Sequence, residues 1–359
     1  LKAVLEAKRA DYFVGLGTGD PCVPLVLQID GKVYYRAIEK ADAERTVHSI
    51  WRAKREFEAA NEVAVSLADY LYVYLHRKHG TPKAICEAAY NLLYTLGAHA
   101  YDPDCNLFLK VFMGELDEEA KAAQDALKAG VLDALRGVDA RANSKPTGWL
   151  LKSDMRHMLR EHFSGKSDGQ LNELFDALDS DEPKELVNYN RLFDDDSDLN
   201  QGVFAETLRQ QHLNEQLAFY QAVEDVVLDT AEKSGADSCT AAALGYALRK
   251  AHPGLSQEQL EEYTGRVYGG ERGKKGLPLD DTLRALRARR PPHLVDAAAA
   301  LELVSANKGK PARAAAEGRA GRRTLIWGEN EEQAAPKSNG DSPAPPPVPQ
   351  LPLKPSTPS

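Results

Sequence analysis

The chain has 359 residues, in which 45 Lys and Arg stand against 54 Asp and Glu, so its formal net charge is −9 at pH 7. Hydrophobic residues make up 43% and aromatic residues 7%, which suits modest helical cores and is too little for a lipid-embedded protein. No apolar run approaches the roughly 20 residues of a transmembrane helix, so we predict about two folded units and no membrane association. Because the first residue is Leu1 rather than Met, we leave open whether a targeting segment precedes it.

The four cysteines show no spacing typical of a zinc site or of a disulfide framework. They are Cys22, Cys86, Cys105 and Cys239. No CxxC and no mixed Cys/His arrangement occurs among them, and disulfides are rare in the reducing cytoplasm. We therefore predict a soluble intracellular protein with reduced cysteines and without a cofactor.

Residues 12–38 are the one region in which the sequence predicts β structure. The segments Val23–Ile29 and Lys32–Ile38 are rich in Val, Ile, Leu and Tyr, and they flank an Asp-Gly dipeptide. This arrangement predicts a tight hairpin, because Asp-Gly suits a turn in which both central residues have positive φ. The preceding Gly15–Gly19 lacks the Gly-Lys-Ser/Thr of a phosphate-binding loop and does not open a helix. We interpret it as a flexible loop.

After residue 40 the hydrophobic period changes from two residues to 3.6, which predicts helices. Apolar residues recur at helical spacing over Val63–Leu75, and Gly80 ends this helix. Pro82, at the tolerated first turn, opens the next helix. The sequence thus predicts two adjacent amphipathic helices.

Two further helices complete this region. Pro103 opens a short helix that Gly114 ends, and Leu116–Leu135 is a helix rich in Ala, Glu and Lys. We predict that residues 41–140 form one packed helical module behind an N-terminal segment, 1–40, that carries the hairpin.

Composition divides the rest of the chain. The stretch Ala142–Gly148 has the composition of a linker, and helical patterns continue beyond it. Residues 284–323 contain ten Arg and Lys but three acidic residues. We predict a paired helical module over 148–290, a basic linker or anchor over 291–328 and a disordered Pro-rich tail over 329–359.

The chain contains an internal repeat at an offset of 89 residues. Leu159–Phe175 and Leu248–Thr264 are identical at seven of 17 positions. Each copy predicts a helix, a tight Gly turn, a serine N-cap (Ser167 or Ser256) and a second amphipathic helix. An irregular loop and a short apolar segment follow. This order favours a pair of degenerate EF-hand-like units, and similarity by chance between amphipathic helices is the alternative.

Acidic residues after the second helix of the first copy are the candidate calcium ligands. An EF-hand loop needs oxygen ligands at positions 1, 3 and 5, Gly at position 6 and a bidentate Glu at position 12. Asp179 and Asp181 supply oxygens, but Arg191 stands where the Glu should be. A cation at that position is the opposite of a ligand.

A second acidic run has better spacing. Asp194, Asp196 and Asp198 alternate as ligands would, but Leu199 replaces the Gly and Ala205 replaces the Glu. We predict that the EF-hand-like units are structural and do not bind Ca²⁺ with the affinity of a sensor. A calcium-modulated adaptor is the alternative function.

The sequence contains no constellation typical of catalysis. HExxH is absent from it, and its Gly-x-Ser-x-Gly match, Gly165–Gly169, contains the serine that is predicted above as a helix N-cap. His76 and His79 share one helix end without a third ligand nearby, and a helix C-terminus, which favours cations, explains them. We predict that the protein is not an enzyme.

The stretch 308–323 carries positive charge that only Glu317 offsets. Its arginines are Arg313, Arg319, Arg322 and Arg323. Clustered cations bind phosphates or acidic proteins, and the aromatic residues of a single-strand binder are missing. An acidic protein surface, such as the glutamate-rich tails of tubulin, is therefore favoured over nucleic acid as the partner. A solvated tail is the alternative.

Prolines recur every three residues in the tail, which is the period of polyproline II. Pro349, Pro352 and Lys354 match the PxxPx(K/R) pattern of ligands for SH3-type grooves. An SH3-type partner for the tail is the corresponding hypothesis, and a chance match in a Pro-rich segment is the alternative.

Five blocks of the sequence resemble segments of axonemal, ciliary and flagellar-associated proteins. They are Gly31–Val33, Thr46–Lys54, Leu71–Gly80, Ala89–Leu92 and Phe108–Glu115. The resemblance covers about residues 30–290 and implies a non-enzymatic structural component of a microtubule-based assembly. It also implies a location in the cytoplasm, in the cytoskeleton of a cilium or flagellum axoneme.

The combined prediction is an all-α scaffold with a small N-terminal β-hairpin. It docks partner proteins through its helical modules and its basic segment. Because a lone EF-hand-like unit leaves half of its apolar face exposed, we expect the two copies to pack on each other. Leu174, Phe175 and Leu178 of the first copy would then contact Leu260 and Tyr263 of the second.

Overall fold

The computed structural model describes residues 11–143, 145–194, 201–269, 276–287 and 294–307. These residues belong to a single compact unit and contain twelve α-helices and four pairs of short strands. The all-α class with small β elements is thus confirmed. None of the helices in these ranges combines the length and the apolar character that crossing a bilayer requires. The tail predicted to be disordered lies outside the described residues.

The N-terminal β element is a ribbon with a long loop, and the prediction of a tight hairpin is wrong. Strand β1 (Tyr12–Val14) pairs antiparallel with β2 (Lys32–Tyr34). An isolated bridge between Gly17 and Ile29 extends the pairing. The residues between these two positions form the loop, so the first strand lies ahead of the segment from which it was predicted.

A 3₁₀ turn over Leu25–Leu27 occupies the segment predicted as the first strand. Pro24 precedes it directly, and proline lacks the amide hydrogen that a strand ladder requires. Val26 and Leu27 are fully buried, so their side chains serve the helical core. The side chain of Gln28 closes the loop by donating to two carbonyl oxygens within it.

The glycine-rich segment continues the ribbon and is not the flexible loop that the sequence suggested. The amide of Gly15 donates to the carbonyl oxygen of Gly31 (2.8 Å), and that of Gly17 donates to Ile29 (3.0 Å). A Cβ atom at Gly15 would collide with the carbonyl oxygen of Ile29. Glycine is therefore required here so that two backbone segments can approach closely.

The next four helices are α1 (Lys40–Asn61), α2 (Leu67–His79), α3 (Pro82–Ala98) and α4 (Pro103–Phe112). The predicted start signals Pro82 and Pro103 are confirmed at the first turns of α3 and α4, as is the stop signal Gly80. Ser66 caps α2 with its side chain, Gly80 ends that helix with a φ of 72°, and the Asp102 carboxylate caps α4. Strand β3 (Ala64–Val65) lies between α1 and α2, so Val63 precedes the helix in which the sequence placed it.

The N-terminal core lies between these four helices and the ribbon. Trp51 of α1 meets Phe108 of α4 edge to face, with ring centroids 5.9 Å apart. The apolar stripe of α3 is buried as predicted and consists of Ile85, Ala89, Leu92, Leu93 and Leu96. Phe13 of the ribbon adds its ring 5.8 Å from that of Tyr90.

The repeat forms two copies that share one long helix. The first copy contains α5 (Glu119–Asn143), β4 (Trp149–Leu151), α6 (Lys152–His162), α7 (Asp168–Asp181), β5 (Leu186–Asn188) and α8 (Val203–Ser234). The second copy continues from α8 through β6 (Ser238–Cys239), α9 (Ala241–Ala251), α10 (Gln257–Tyr268), β7 (Leu277–Pro278) and α11 (Leu279–Arg287). The predicted serine caps at Ser167 and Ser256 are confirmed, and each forms a capping box.

Within each copy the two strands pair with each other. In the first copy β4 and β5 are antiparallel, with Leu150 opposite Val187. In the second copy β6 and β7 are antiparallel, with Cys239 opposite Leu277. Both copies therefore have the order helix, strand, helix, helix, strand, helix, which is longer than the 17-residue match that revealed the repeat.

Each copy has its own core, and the prediction that the copies pack on each other is wrong. Leu174, Phe175 and Leu178 lie in the first-copy core with Val131 and Leu135 of α5 and Phe204 and Leu208 of α8. Leu260 and Tyr263 lie in the second-copy core with Val223 and Val227 of α8. The flanking helices supply the apolar faces that the repeated segment lacks, and the sequence match does not extend to them.

A C-terminal segment returns to the N-terminal core. Strand β8 (Leu294–Val295) pairs parallel with β3. Helix α12 (Ala297–Asn307) packs on α2, and Ala300 is fully buried. Residues 294–307 are therefore folded, although the sequence assigned them to a basic linker or anchor. The division of the chain into modules stays a prediction.

Candidate functional site

Asp179, the first candidate calcium ligand, is held by two cations of the chain. Its carboxylate lies 2.9 Å from Lys152 Nζ and 2.5 Å from the guanidinium of Arg156. The hydrogen bond from Lys152, together with the charge of Arg156, lowers the pKa of Asp179. The carboxylate thus links α7 to α6.

Asp181 caps the shared helix α8. Its two carboxylate oxygens accept hydrogen bonds from the amides of Val203 (2.8 Å) and Phe204 (2.7 Å). Gly202, the N-cap residue, has no side chain to do this, and a Cβ there would lie 2.6 Å from an Asp181 oxygen. A carboxylate at a helix N-terminus also interacts favourably with the helix dipole.

The remaining candidate ligands do not come together with these two in the described residues. Arg191 is exposed in a 3₁₀ turn directly after β5, and Asp194 is exposed beyond it. Asp196 and Asp198 lie outside the described residues. The four arginines and the tail motif predicted to bind partners also lie outside them: Arg313, Arg319, Arg322, Arg323, Pro349, Pro352 and Lys354.

The stretch predicted as a linker is a turn fixed by one buried carboxylate. Helix α5 extends to Asn143, and Asp139 within it is fully buried. One Asp139 oxygen accepts from the amides of Thr147 (2.5 Å) and Gly148 (2.8 Å) and from the hydroxyl of Tyr189 (2.7 Å). The other accepts from the Asn143 amide (2.9 Å) and the Thr147 hydroxyl (3.0 Å).

These hydrogen bonds determine the charge state of Asp139. Burial alone would raise the pKa of its carboxyl group, but hydrogen bonds from Asn143, Tyr189, Gly148 and Thr147 lower the pKa below its usual range. The group is therefore a carboxylate at neutral pH. No sequence motif marks Asp139, because its partners Thr147 and Gly148 read as linker residues and Tyr189 is 50 residues away.

Three large apolar side chains form an exposed patch on the outer face of the β4–β5 pair. Trp149 is 46% exposed, and Leu151 and Leu186 are each 48% exposed. Leu151 lies opposite Leu186 in the strand register, and Trp149 is on the same face of its strand because side chains alternate. We call these three residues the β4–β5 patch.

The opposite face of the β4–β5 pair belongs to the core. Leu150 and Val187 lie between the exposed residues and are almost completely buried. The alternation of exposed and buried residues shows that the pair has one core face and one outer face. The sequence shows the apolar run Trp149–Leu151, but it does not show which of these residues are outside.

An ion pair joins the first copy to the N-terminal core. Arg209 of α8 is 1% exposed, and its guanidinium binds both carboxylate oxygens of Asp104 in α4, at 2.5 and 2.9 Å. Its Nε also donates to Gln124 of α5 (3.2 Å). Burial alone would raise the pKa of Asp104, but the hydrogen bond from His48 and the charge of Arg209 lower it.

A second polar cluster lies inside the N-terminal core, between α1 and α4. The donor atoms of Glu44, Asp102 and Cys105 lie within 4.8 Å of one another, which is a spacing that could hold a metal ion. The ammonium of Lys40 already lies 2.8 Å from Glu44 and 3.0 Å from Asp102. Burial, with the neighbouring Asp102, raises the pKa of Glu44 to about 7.

A cavity of about 370 Å³ lies where α5, α8 and α10 meet. Its lining includes Leu116, Ala120, Phe219, Tyr220, Tyr263 and Arg266. The Arg266 guanidinium lies 5.1 Å from the centre of the Tyr263 ring and pairs with Glu262 (2.6 Å). The lining also contains the titratable side chains of Asp117, Glu119, His212 and Glu215. The cavity is thus lined by both apolar and ionisable groups.

Two mammalian proteins are similar to this chain. Human translin-associated factor X-interacting protein 1 is 24% identical over 220 residues, which cover 60% of this chain and 32% of that protein. The mouse protein of the same name is 23% identical over 266 residues, 73% of this chain and 36% of its own length. The chain thus matches about a third of the length of these curated relatives. Their names describe an interaction with another protein and not a reaction.

No protein-family model matches the chain, and no solved structure matches it significantly. The match to the mouse protein extends over nearly three quarters of the chain. A contiguous match of that extent necessarily includes the centre of the chain, where the β4–β5 patch lies.

Proposed function

We propose that this protein is a non-enzymatic docking component of a larger assembly and that the β4–β5 patch is its docking surface. The observation that carries this proposal is the exposure of Trp149, Leu151 and Leu186 side by side on one strand pair. Contiguous exposed apolar side chains are unfavourable in water and mark interaction sites. Tryptophan in particular is enriched among residues that dominate binding energy.

The names of the two relatives suggest which kind of protein binds this surface. Both relatives are named for their interaction with translin-associated factor X. We propose that this chain binds a protein of that kind and that the central region contributes the contact. The apolar character of the patch fits the buried centre of a protein–protein interface, where charged residues are depleted.

We also infer that the repeat is EF-hand-like, with two helix–strand–helix units in each copy instead of the one unit per copy that the sequence favoured. Two helices joined by a loop with one short strand, with the strands of two loops paired, are the features that support this inference. In the loop 143–154, Gly148 stands at position 6 with a φ of 86°, and Leu150 stands at position 8. An EF-hand loop needs glycine at position 6 for its sharp turn.

A structural role for these loops fits their residues better than calcium binding. Lys145 stands at position 3 of the first loop, and Arg191 at position 12 of the loop 180–191. Both positions need oxygen ligands. The calcium-modulated adaptor, which depends on the same loop geometry, is tested by calorimetric titration. We expect no micromolar binding, and binding that Asp194→Ala abolished would contradict the structural role.

The setting of the assembly and the remaining contacts are part of the same proposal. We propose the cytoplasm and the cytoskeleton of a cilium or flagellum axoneme, which the five resembling sequence blocks support. The basic segment with Arg313 and Arg323 would bind an acidic surface such as tubulin tails, and Pro349–Lys354 an SH3-type groove. Charge contacts of this kind weaken with salt, since exposed charges are screened over about 8 Å at physiological ionic strength.

Binding of the full chain to purified translin-associated factor X tests the docking surface. Trp149→Ala and Leu186→Ala should each weaken binding by about tenfold or more, because interfacial hot spots cost about 2 kcal/mol or more when truncated. Leu228→Ala is the matched control, because Leu228 is 43% exposed on α8 and lies outside the patch. It should leave binding unchanged.

The melting temperature should stay the same in all three variants, because the altered side chains are half exposed. Equal affinity of the wild type, the patch variants and the control would contradict docking through the patch.

A parallel co-sedimentation with microtubules tests the basic segment. There, alanine in place of Arg313, Arg319, Arg322 and Arg323 should weaken binding without changing the melting temperature.

A further inference from the structure

We propose that Asp139 is a positioning residue that fixes the β4–β5 patch in the orientation needed for docking. This inference rests on the proposed function of the patch. Gly148 immediately precedes β4, and Tyr189 immediately follows β5. Both donate to the same oxygen of Asp139, at 2.8 and 2.7 Å. One buried oxygen on α5 thus holds the adjoining ends of both strands that carry the patch.

The direction of the hydrogen bonds shows what Asp139 does in this loop. In a calcium-loaded EF-hand loop, oxygen atoms converge on a cation. Here donors converge on a carboxylate: the Asn143 amide, two backbone amides and two hydroxyl groups. The loop is therefore closed by a negative group of the chain itself.

In the described residues of the second copy, neither the buried carboxylate nor the patch recurs. At the offset of 89 residues, Leu228 corresponds to Asp139 and is 43% exposed. Ser238 and Thr240 correspond to Trp149 and Leu151. The buried carboxylate and the apolar patch thus occur together in the first copy, and neither recurs in the described residues of the second. This is expected if the carboxylate fixes the orientation of the patch.

Hydrogen–deuterium exchange of the full chain, measured without a partner protein, tests whether Asp139 fixes the two strands that carry the patch. Asp139→Asn replaces one of the two acceptor oxygens by an amide that itself donates, so the buried donors that bind this oxygen lose their acceptor. It should speed exchange in residues 147–151 and 186–189 by roughly tenfold or more, as expected for loss of acceptors at buried donors. Exchange in α1–α4 should not change.

Two further variants keep the test decisive. Tyr189→Phe removes one donor and leaves the backbone bonds of Asp139 in place, so it should fold and give a smaller increase in the same segments. Asp133→Asn is the matched control, because Asp133 lies on the exposed side of the same helix and its carboxylate pairs with Arg136. This variant should change the exchange rate in neither segment.

The affinity for translin-associated factor X is then measured on the same variants. Asp139→Asn should weaken binding about as much as Trp149→Ala does, and added Ca²⁺ should restore neither the exchange rate nor the affinity. Wild-type exchange in both segments of Asp139→Asn and Tyr189→Phe would overturn the proposal, as would recovery with Ca²⁺. Faster exchange of Asp139→Asn with wild-type affinity would also overturn it if Trp149→Ala still weakens binding, whereas wild-type affinity in both variants would contradict docking through the patch.

Discussion

The two copies of the repeat have the same element order but close their strand pairs differently. In the first copy the buried Asp139 carboxylate gathers donors from both strand ends. In the second copy the Tyr268 hydroxyl donates to the carbonyl oxygen of Cys239 in β6 (2.8 Å) and lies near Thr282 (3.5 Å). The first is a charged hub with five hydrogen bonds, and the second is a neutral contact.

The outer faces of the two strand pairs differ in the same way. The first copy presents a tryptophan and two leucines that are about half exposed. In the second copy Ser238 and Pro278 are the exposed strand residues. A duplicated fold can therefore keep its helices and strands while only one copy carries a surface for a partner. The copy with the apolar surface is also the one with the stronger internal anchor.

The largest expected effect concerns the ion pair that ties the first copy to the N-terminal core. Arg209→Ala should cost about 3–5 kcal/mol, because the largely buried Asp104 carboxylate would lose its bidentate arginine and keep only His48. Chemical denaturation measures the free energy of unfolding. Arg136→Ala, which removes an exposed arginine that pairs with Asp133, should cost less than about 1 kcal/mol. Equal losses in the two variants would show that the buried pair does not join the two regions.

Truncation in the first-copy core is the next largest effect. Phe175→Ala should cost about 3 kcal/mol, since Phe175 is 6% exposed and belongs to that core. The position that corresponds to it in the second copy is Thr264, which has no comparable role. Thr264→Ala should therefore cost less in the same unfolding experiment. A larger loss in Thr264→Ala than in Phe175→Ala would show that the cores are not separate.

Two buried carboxyl groups should give pH dependences of opposite sign. Burial raises the pKa of Glu44 from 4.5 to about 7, so its contribution is present below the unfolded pKa and is lost as the pH rises through 7. The folded pKa of Asp139 is lowered, so its contribution is present at neutral pH and is lost only as the pH falls below the unfolded value of 3.8.

The Glu44→Gln variant isolates the pH dependence of stability that comes from Glu44. Wild-type stability should fall by roughly 1–3 kcal/mol between about pH 5 and about pH 8 as Glu44 ionises, and the variant should lack this fall. Unfolding by denaturant at several pH values measures the stability of the wild type and of the variant. A variant whose pH profile coincides with that of the wild type would exclude Glu44 as the titrating group.

The smallest effect concerns the anchor of the second copy. Tyr268→Phe removes the hydrogen bond to Cys239 and should cost about 0.5–1.5 kcal/mol, as expected for one neutral hydrogen bond. Tyr189→Phe should cost more, because its hydroxyl donates to a charged acceptor. Unfolding free energies of the two variants compare the anchors directly. The reverse order would contradict a stronger anchor in the first copy.

Local sequence signals predicted the helices of the N-terminal core well. Gly80, Pro82 and Pro103 act through their own backbone positions, so their effect can be read without knowing the fold. The ribbon shows the limit of this approach. Pro24 and the close approach at Gly15 select a pairing between distant segments, and the local hairpin pattern does not contain that information.

The candidate site was largely outside the reach of sequence reasoning. The repeat was found through seven identical residues, among them the local caps Ser167 and Ser256, but the helices that complete each copy do not share the repeated residues. Asp139 and Tyr189 are 50 residues apart, and only the folded chain brings them together. The apolar run at Trp149 was visible, but its exposure depends on which strand face meets the core.

The central claim is that the β4–β5 patch of the first copy contacts a partner protein. The most direct measurement places a photo-reactive benzoylphenylalanine at Trp149 and, separately, at Tyr246, which is 55% exposed in α9 of the second copy. After irradiation with purified translin-associated factor X, cross-links are mapped by mass spectrometry. The account predicts a specific cross-link from position 149 and none from position 246. Equal cross-linking from both positions, or none from 149 while the proteins still bind, would contradict it.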